Sequence, residues 1–259
     1  MTERGYAVIT GASSGIGAEF ARAYGKQGFG LVLCSRRKII PDDIPAGTDI
    51  RYVCADLSGE EGCETLMEEV RRIGSSGGSI EVLVNCAGFG LAGAFSDTDT
   101  DRELEMIDLN IRAVHILMKE MLAIFRARGR GTILNVASSA GLFPGGPYFS
   151  TYYATKSYVC SLTKAVAEEQ REEKSGIYIA CLCPGPVDTE FNNTANVRFA
   201  LKGISAAECV SYAMRQMKKK RTVIIPGLSI RAAVFFAGLV PDRFLMPVIA
   251  RQQKRKSER

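Results

Sequence analysis

Tyr152 and Lys156 are the two side chains of this sequence whose types and spacing best fit proton transfer. They lie four residues apart in the segment YYATK, at the start of a long helical pattern. Residues i and i+4 share one face of a helix, so the Lys156 ammonium can lie near the Tyr152 phenol oxygen. A phenol has an ordinary pKa of about 10, and a neighbouring cation favours its ionised form. The spacing therefore allows a tyrosine that acts as general acid or base and a lysine that tunes it. A tyrosine four residues before a lysine is common by itself, and the weight of this pair comes from its position in the chain.

A glycine-rich turn near the N-terminus has the composition of a phosphate-binding loop. The segment TGASSGIG at 10–17 follows an apolar strand-like run and opens a helical pattern. Glycine permits a tight turn and a close approach to a pyrophosphate, and the helix N-terminus offers free N–H groups. We therefore expect a dinucleotide to bind at this turn. The expected binding residues are Gly11, Ser13, Ser14, Gly15, Ile16 and Gly17.

The end of the second strand-like run carries residues that distinguish between the two nicotinamide dinucleotides. Ser35 stands 18 residues after Gly17, where an NAD-binding fold places an acidic residue on the ribose hydroxyls. Arg36 and Arg37 follow, and a guanidinium there would pair with a 2′-phosphate. The alternative is two ordinary solvated arginines. Because the acidic residue is also missing, we predict NADP(H) as the cofactor.

Short β-rich runs alternate with helix-like stretches along the chain. Several runs are apolar at almost every position, as in strands of a parallel sheet that helices cover on both faces. The alternation predicts an α/β fold with a doubly wound parallel sheet (Rossmann fold) of about seven strands in a single domain. The predicted strands are 6–10, 30–34, 50–54, 80–85, 132–136, 177–183 and 222–225, and the predicted helices include 16–27, 60–73, 101–128, 151–173 and 205–219. Pro41 and Pro45 predict a loop in place of the helix between the second and third strands.

Composition excludes several classes of protein. The chain has 259 residues, 46% hydrophobic and 24% charged, so it is too apolar to be disordered and long enough for one large core. The net charge of +5 comes mainly from 218–221 and the final RQQKRKSER, so nucleic-acid binding is not indicated. The chain has one histidine and eight cysteines without a CxxC pair, which predicts no metal site. Cys181 and Cys183 are interpreted as core residues of one strand.

Together these motifs resemble those of the short-chain dehydrogenase/reductase (SDR) family. Besides the glycine-rich turn and YYATK, the chain has the further family motifs in family order across about residues 5–225. They are Asp56-Leu57 after the third strand, Asn85-Cys86-Ala87-Gly88 after the fourth, Asn110, Ser138-Ser139 after the fifth, and PGPVDT at 184–189.

The resemblance implies a role for each matching residue. Tyr152 would donate a proton to a carbonyl oxygen, and Lys156 would hold the nicotinamide ribose and lower the tyrosine pKa. Asn110 would kink its helix and anchor a water leading from Lys156 to solvent. Tyr153 has no lysine four residues later, and we expect it to pack outward. The remaining matches would adjoin the cofactor: Asp56 and Leu57 at the adenine, Asn85, Ala87 and Gly88 at the adenosine ribose and glycine loop, where they would also support the sheet, and Pro184, Gly185, Val187 and Thr189 at the nicotinamide.

Two adjacent serines, Ser138 and Ser139, are candidates for the residue that polarises the carbonyl. Alignment of Asn135-Val136-Ala137-Ser138 on the family pattern NISS selects Ser138, whereas the usual spacing of 13 residues to the tyrosine selects Ser139. We favour Ser138, because an extra residue fits easily in the Gly145-Gly146 loop, whereas a slip within a strand would turn each side chain to the other face.

The predicted function is transfer of hydride between NADPH and a ketone or aldehyde. Phenylalanines at 89, 95, 143, 149, 191 and 199 suggest an apolar substrate, with acyl, steroid-like and small carbonyl compounds all open. The family resemblance also implies a homodimer or homotetramer. One alternative is a catalytically silent NADP(H)-binding regulator, whose usual sign would be a lost tyrosine or lysine. The other is a membrane-surface interaction protein that acts through the basic, apolar C-terminus.

The chain divides into residues 1–226, the dinucleotide-binding and catalytic domain, and 227–259, a C-terminal extension. The extension has apolar stretches at 228–240 and 244–250 followed by a basic tail. It is predicted either to pack on the domain or to contact a membrane surface peripherally. No apolar run approaches the roughly 20 residues that span a bilayer. With no secretion signal, we expect a cytoplasmic protein, with or without peripheral membrane contact.

Overall fold

A seven-stranded parallel sheet forms the centre of the computed structural model, which describes residues 5–189 and 203–257. The strand order is β3-β2-β1-β4-β5-β6-β9, so the order reverses beside β1, between β1 and β4. Parallel α/β sheets bind ligands at the carboxyl ends of their strands at such a point. The strands are β1 (Tyr6–Thr10), β2 (Gly30–Ser35), β3 (Ile50–Cys54), β4 (Ile80–Asn85), β5 (Gly131–Val136), β6 (Ile177–Leu182) and β9 (Val223–Ile224), and β7 (Val187–Asp188) pairs in parallel with β8 (Ile204–Ser205) outside the sheet.

Helices cover both faces of the sheet, because alternate strand residues are apolar on each side. Val8 packs with the core under α2 and α4, while Ala7 and Ile9 pack with the opposite core under α1 and α6. The sheet is therefore buried on both faces, as the nearly continuous apolar strands predict. The helices are α1 (Gly15–Gly25), α2 (Glu60–Ser75), α3 (Thr100–Ile107), α4 (Val114–Arg128), α5 (Ser150–Glu172), α6 (Ala206–Lys218), α7 (Leu228–Ala237) and α8 (Asp242–Ser257).

The predicted fold class is confirmed, with each predicted strand within one residue of its observed bounds at either end. The loop between β2 and β3 is also confirmed. The prediction of one continuous helix over 101–128 is wrong, because a π-helical turn, Asp108–Ala113, separates α3 from α4. The family resemblance implies a kink at Asn110, which lies in this turn, but the sequence predicts neither the π-helical form of the turn nor the short β7–β8 pair.

The C-terminal extension forms two helices that pack against the main body of the chain. On α7, Ala237 is buried and Ile230 lies against Gly185, since a Cβ on that glycine would be 2.8 Å from the Ile230 side chain. On α8, Ile249 and Gln253 are buried. The domain boundary at residue 227 stays a prediction. Within the two described ranges, no helix is both long and apolar enough to cross a membrane.

Candidate active site

The glycine-rich turn joins β1 to α1 in a conformation that side chains would obstruct. Gly11 has a φ of +65°, and a Cβ on Gly17 would lie 2.2 Å from the Gly11 carbonyl oxygen. Thr10 fixes the turn to the chain after β4, because its hydroxyl accepts hydrogen bonds from the Cys86 and Ala87 N–H groups. The Ser14 side chain makes no capping hydrogen bond to α1. The first N–H groups of α1 are thus left for an anion.

One cleft runs along the carboxyl ends of the strands and gathers the residues that the sequence predicts. Among the predicted site residues, all but Asn85 and Asn110 line it. The lining includes Gly11, Ser13, Ser14, Gly15, Ile16, Gly17, Ser35, Arg36, Arg37, Asp56, Leu57, Ala87, Gly88, Ser138, Tyr152, Lys156, Pro184, Gly185, Val187 and Thr189. Ser139 lines it too. The cleft thus connects the glycine-rich turn to the Tyr152–Lys156 pair.

Charged residues at the ends of β2 and β3 form one end of the cleft. Arg36 Nη1 lies 3.6 Å from Glu105 Oε1. Because the Arg36 side chain is 61% exposed, this ion pair contributes little to the stability of the fold. Burial opposes ionisation of Asp56, but hydrogen bonds from Ser58 and the Arg36 charge together hold the pKa of its carboxyl below its usual value. The Arg36 guanidinium is therefore close enough to Asp56 to attract an anionic group that binds beside that carboxylate.

Tyr152 is buried near the middle of the cleft and has the character of a proton donor. Burial raises the pKa of its phenol, and a hydrogen bond with Ser138 opposes that rise. The expected lowering of this pKa by Lys156 is not seen, because burial dominates and the Lys156 Nζ lies 5.8 Å from the centre of the tyrosine ring. A phenol with a raised pKa stays protonated at neutral pH. Tyr152 can therefore donate a proton.

The hydrogen bond to Tyr152 distinguishes Ser138 from Ser139. Ser138 lies just after β5, and its Oγ also accepts a hydrogen bond of 3.1 Å from the Ala140 N–H. Ser139 begins a short 3₁₀ turn, and its N–H donates to the Pro184 carbonyl. The geometry favours Ser138 as the partner of Tyr152, which agrees with the sequence-based preference.

Lys156 extends from α5 towards the loops that follow β4 and β5. Its Nζ donates to the Val136 carbonyl at 3.1 Å and adjoins Gly88, where a Cβ would lie 3.3 Å away. Burial lowers the pKa of Lys156 below its usual value. The ammonium therefore lies between α5 and the strand ends, where it can donate to a bound hydroxyl group.

Asn110 lies behind this lysine and does not line the cleft itself. It is fully buried in the π-helical turn. Its side chain accepts from the Phe89 N–H and donates to the Phe89 carbonyl and the Thr155 hydroxyl. Asn110 thus ties the chain after β4 to the residue before Lys156. The helix irregularity expected at Asn110 is present, while its role in anchoring a water stays a prediction.

Asn85 is the last residue of β4 and does not line the cleft. It is buried, and its Nδ2 donates to the Asn135 Oδ1 at 2.9 Å. Asn135 in turn donates to the Thr163 hydroxyl of α5. This chain of side chains joins β4, β5 and α5, so Asn85 supports the site and does not line it. The predicted support of the sheet fits this position.

Several residues of the cleft are absent from the sequence-based prediction. Tyr153, expected to pack outward, is instead buried in the cleft wall, and Gln253 of α8 donates a hydrogen bond to its hydroxyl. Gly146 permits this position, since a Cβ there would lie 2.3 Å from the Tyr153 ring. No local pattern links residues 100 positions apart. The expected pocket residues Phe191 and Phe199 lie outside the described ranges.

Three thiols pack together between α5 and β6. Cys160 of α5 meets Cys181 and Cys183 around the end of β6, with all three sulfur atoms within 4.8 Å of one another. All three side chains are buried. The interpretation of Cys181 and Cys183 as core residues fits this position.

Gln253 gives a prediction about the end of the cleft that holds Tyr152 and Tyr153. Gln253→Ala should raise the KM for a carbonyl substrate by about two- to tenfold, the worth of one hydrogen bond, because Tyr153 loses its partner. The KM for the dinucleotide should stay unchanged. Steady-state kinetics with each substrate varied in turn measures both values. Gln252→Ala is the matched control, since Gln252 is exposed next to it; equal effects of the two variants would contradict the assignment.

Comparisons with known proteins show the family to which the chain belongs. A sequence model of the family described as short chain dehydrogenase matches residues 5–198. The chain is 34% identical over 196 residues to the Bos taurus dehydrogenase/reductase SDR family member 11, covering 71% of this chain and 75% of the relative.

Two solved structures share the fold. One is a short-chain dehydrogenase from Sphingobium yanoikuyae in complex with NADPH, with a TM-score of 0.79 and 28% identity over 90% of this chain and 93% of that one. The other is the bulky-bulky ketone specific alcohol dehydrogenase from Comamonas testosteroni, with a TM-score of 0.73, 29% identity and 86% of each chain covered. With the family match over residues 5–198, the glycine-rich turn and the Tyr152–Lys156 pair in one cleft, the chain belongs to the short-chain dehydrogenase/reductase family of oxidoreductases.

Proposed function

We propose that the protein is an NADPH-dependent oxidoreductase that reduces an apolar ketone or aldehyde to the alcohol. The observation that carries the proposal is the placement of Tyr152, Ser138 and Lys156 in one cleft with Arg36 and the glycine-rich turn. The tyrosine and lysine are both present and buried, which is unlike a silent nucleotide-binding regulator.

The residues of the cleft fit a nicotinamide dinucleotide. The left-handed Gly11 and the close contact at Gly17 leave a backbone surface without side chains, against which a pyrophosphate can lie. Asp56 offers an ionised carboxylate for an amino group. The Lys156 ammonium can reach ribose hydroxyls. Each of these features suits a different part of the same ligand.

Preference for NADPH over NADH is proposed from the residues at the end of β2. Ser35 replaces the acidic residue that would accept from ribose hydroxyls, and its hydroxyl is engaged with the Arg37 carbonyl and the Tyr52 hydroxyl. Arg36 and Arg37 line the cleft directly after it. A phosphate beside two guanidinium groups forms charge-assisted hydrogen bonds. The Sphingobium yanoikuyae relative, which is in complex with NADPH, supports this cofactor.

The reaction divides between the cofactor and three side chains. NADPH, when bound, supplies the hydride. The Ser138 hydroxyl holds the carbonyl oxygen, and its stabilising effect grows as negative charge develops there. The Tyr152 phenol donates its proton to that oxygen, and burial keeps this donor protonated beforehand. Lys156 would hold the ribose, since its ammonium can donate to hydroxyl groups.

An apolar substrate is proposed from the walls around Tyr152. Phe89 and Phe149 are buried and line the cleft together with Leu109. The rings of Phe149 and Tyr152 lie 4.6 Å apart between centroids. Such walls favour a hydrocarbon group beside the carbonyl. Similarity to the bulky-bulky ketone specific enzyme is consistent with this choice.

We place the protein in a reducing compartment, the cytoplasm. All eight cysteines are free thiols, and six of them are buried, at 0–2% exposure. A fold whose thiols are unpaired does not need an oxidising environment. Assembly into a homodimer or homotetramer is proposed from the family and is measured by light scattering.

Oxidation of NADPH with a panel of carbonyl compounds tests the proposed function. We expect steady loss of NADPH absorbance with at least one bulky apolar ketone or aldehyde, and a higher kcat/KM for it than for a small polar ketone, because the walls are apolar. The panel should include 3-oxoacyl, steroid and aromatic carbonyls. NADPH binding without turnover across the whole panel would favour the regulator.

A further inference from the structure

Helix α7 is apolar on the side that packs against the protein and also on the side that faces solvent. On the inner side, Ala237 is buried and Val234 is half-buried. On the outer side, Phe235 and Phe236 are 66% and 61% exposed, and Leu228, seven residues before Phe235, is also exposed. A helix that is apolar all round is normally covered all round. The outer side of α7 therefore lacks the covering that its composition predicts.

Helix α8 repeats this arrangement. Its Ile249 and Gln253 face the protein and are buried. Phe244 and Val248, one turn apart, are 58% and 63% exposed, and Arg251 follows on the same side. Of the eleven large apolar side chains exposed in the described ranges, seven belong to residues 228–248. We call the outer sides of α7 and α8, with Leu239 and Val240 between them, the C-terminal face.

The charge of the chain is concentrated in the same segment. Residues 227–259 contain seven lysines and arginines against two acidic residues, an excess equal to the whole formal net charge of +5. Arg231, Arg243 and Arg251 are exposed among the apolar side chains of the C-terminal face. Apolar residues interleaved with arginine are the composition of helices that lie in a lipid interface.

The positive charge of the C-terminal face distinguishes between two candidate partners, a second copy of the chain and an anionic lipid surface. In a symmetric dimer the same patch meets itself, so the exposed arginines of two copies would oppose like charges. An anionic lipid surface instead attracts lysine and arginine and accepts the apolar side chains below its headgroups. We propose that the C-terminal face docks peripherally on an anionic phospholipid bilayer, and that the cleft takes its apolar substrate from that bilayer.

The second part of this proposal rests on the proposed function and on the position of the two helices beside the cleft. Gln253, on the inner side of α8, lines the cleft and contacts Tyr153. Met246 of α8 lies against Gly145, and Ile230 of α7 lies against Gly185. The helices that carry the exposed face therefore also border the site. A lipid-soluble carbonyl compound would enter the cleft from the surface on which the protein docks.

Co-sedimentation with vesicles tests the docking without any use of catalysis. The whole chain should bind vesicles that contain phosphatidylglycerol at low salt, bind pure phosphatidylcholine more weakly, and release as salt screens the charge. The double variant Phe235→Ser, Phe236→Ser should bind about tenfold or more weakly, since each phenylalanine loses its burial in lipid. The double charge reversal Arg243→Glu, Arg251→Glu should lose the preference for phosphatidylglycerol.

Matched variants separate docking from loss of folding. Leu104→Ser removes an exposed apolar side chain of α3, and Lys26→Glu, Lys119→Glu reverses two exposed charges elsewhere. Both controls should bind vesicles like the parent, and all variants should keep the parent Tm. No binding by the parent at low salt, or equal binding by the phenylalanine variant, overturns the docking. A change of oligomeric state in that variant, with vesicle binding kept, assigns the face to a second copy and also overturns it.

The same variants test the delivery of substrate. The double phenylalanine variant should reduce a long-chain ketone presented in vesicles more slowly than the parent, and a water-soluble ketone at the parent rate. Equal losses on both ketones overturn the delivery from the bilayer. Vesicle binding by a parent that reduces no carbonyl compound would leave the docking established and reject the proposed function alone.

Discussion

Replacement of Tyr152 by phenylalanine is expected to lower the kcat of carbonyl reduction by about a hundredfold or more, the usual contribution of a positioned general acid. The variant removes only the hydroxyl, so the ring still packs on Phe149 and the cleft keeps its shape. NADPH binding should therefore stay within about twofold of the parent, as measured by fluorescence titration; an effect on kcat alone marks an interaction made in the transition state.

Tyr153→Phe is the matched control for this experiment. It removes the neighbouring hydroxyl from the same helix, and that hydroxyl contacts Gln253 and not Ser138. Its kcat should stay close to the parent value. A Tyr152→Phe variant with a kcat within tenfold of the parent would show that the proton comes from another group.

The pH dependence of kcat provides a second check on Tyr152. Burial raises the pKa of its phenol, so the proton donor is present at every pH below that raised value. The rate of reduction should therefore not fall as pH rises through neutrality. A fall centred near neutral pH would mean that a group with a lower pKa donates the proton.

Cofactor preference is the second large effect expected. The kcat/KM for NADPH should exceed that for NADH by about tenfold or more, because a charge-assisted arginine–phosphate contact is worth more than roughly 1.4 kcal/mol. Arg36→Ala should reduce this ratio by lowering the value for NADPH. Ser35→Asp with Arg36→Ala should reverse it, since the new carboxylate can accept from ribose hydroxyls and repels a phosphate.

Arg51→Ala is the control for charge loss at this edge of the sheet. Arg51 lies on β3, pairs with Asp49 and does not line the cleft. Its removal should leave the ratio of NADPH to NADH unchanged. A parent enzyme with equal kcat/KM for both cofactors would refute the assignment of Arg36 and Arg37 to a phosphate.

The sheet and the cofactor end of the cleft are predictable because they follow from local patterns. Runs such as Leu31–Cys34 are apolar on both faces, so they identify a covered parallel strand without knowledge of its neighbours. The glycine-rich turn and the YYATK segment are each recognised from the spacing of residues within one short stretch of sequence. The carboxyl ends of parallel strands meet at one edge, which then brings these separate motifs together.

The parts that were not predicted depend on distant contacts. Gln253 enters the cleft only because α8 folds back onto Tyr153, and nothing in the sequence around either residue indicates the other. The exposure of Phe235 and Phe236 is likewise a result of packing, since an apolar helix predicts burial equally well. The π-helical turn arises where Asn110 bonds to Phe89 and Thr155, which are remote in sequence.

The π-helical turn has a consequence for any attempt to engineer this protein. Such a turn holds one residue more than a regular helix, and each residue of an α-helix adds a rotation of about 100°. Deletion of one residue from Asp108–Ala113 would convert the turn to regular α-helix and rotate the two flanking segments relative to each other by about 100°. Either α3, or Asn110 together with α4, would then face away from its present neighbours. A thermostabilising design that straightens this segment would therefore give up the link from Phe89 to Thr155, and with it the support behind Lys156.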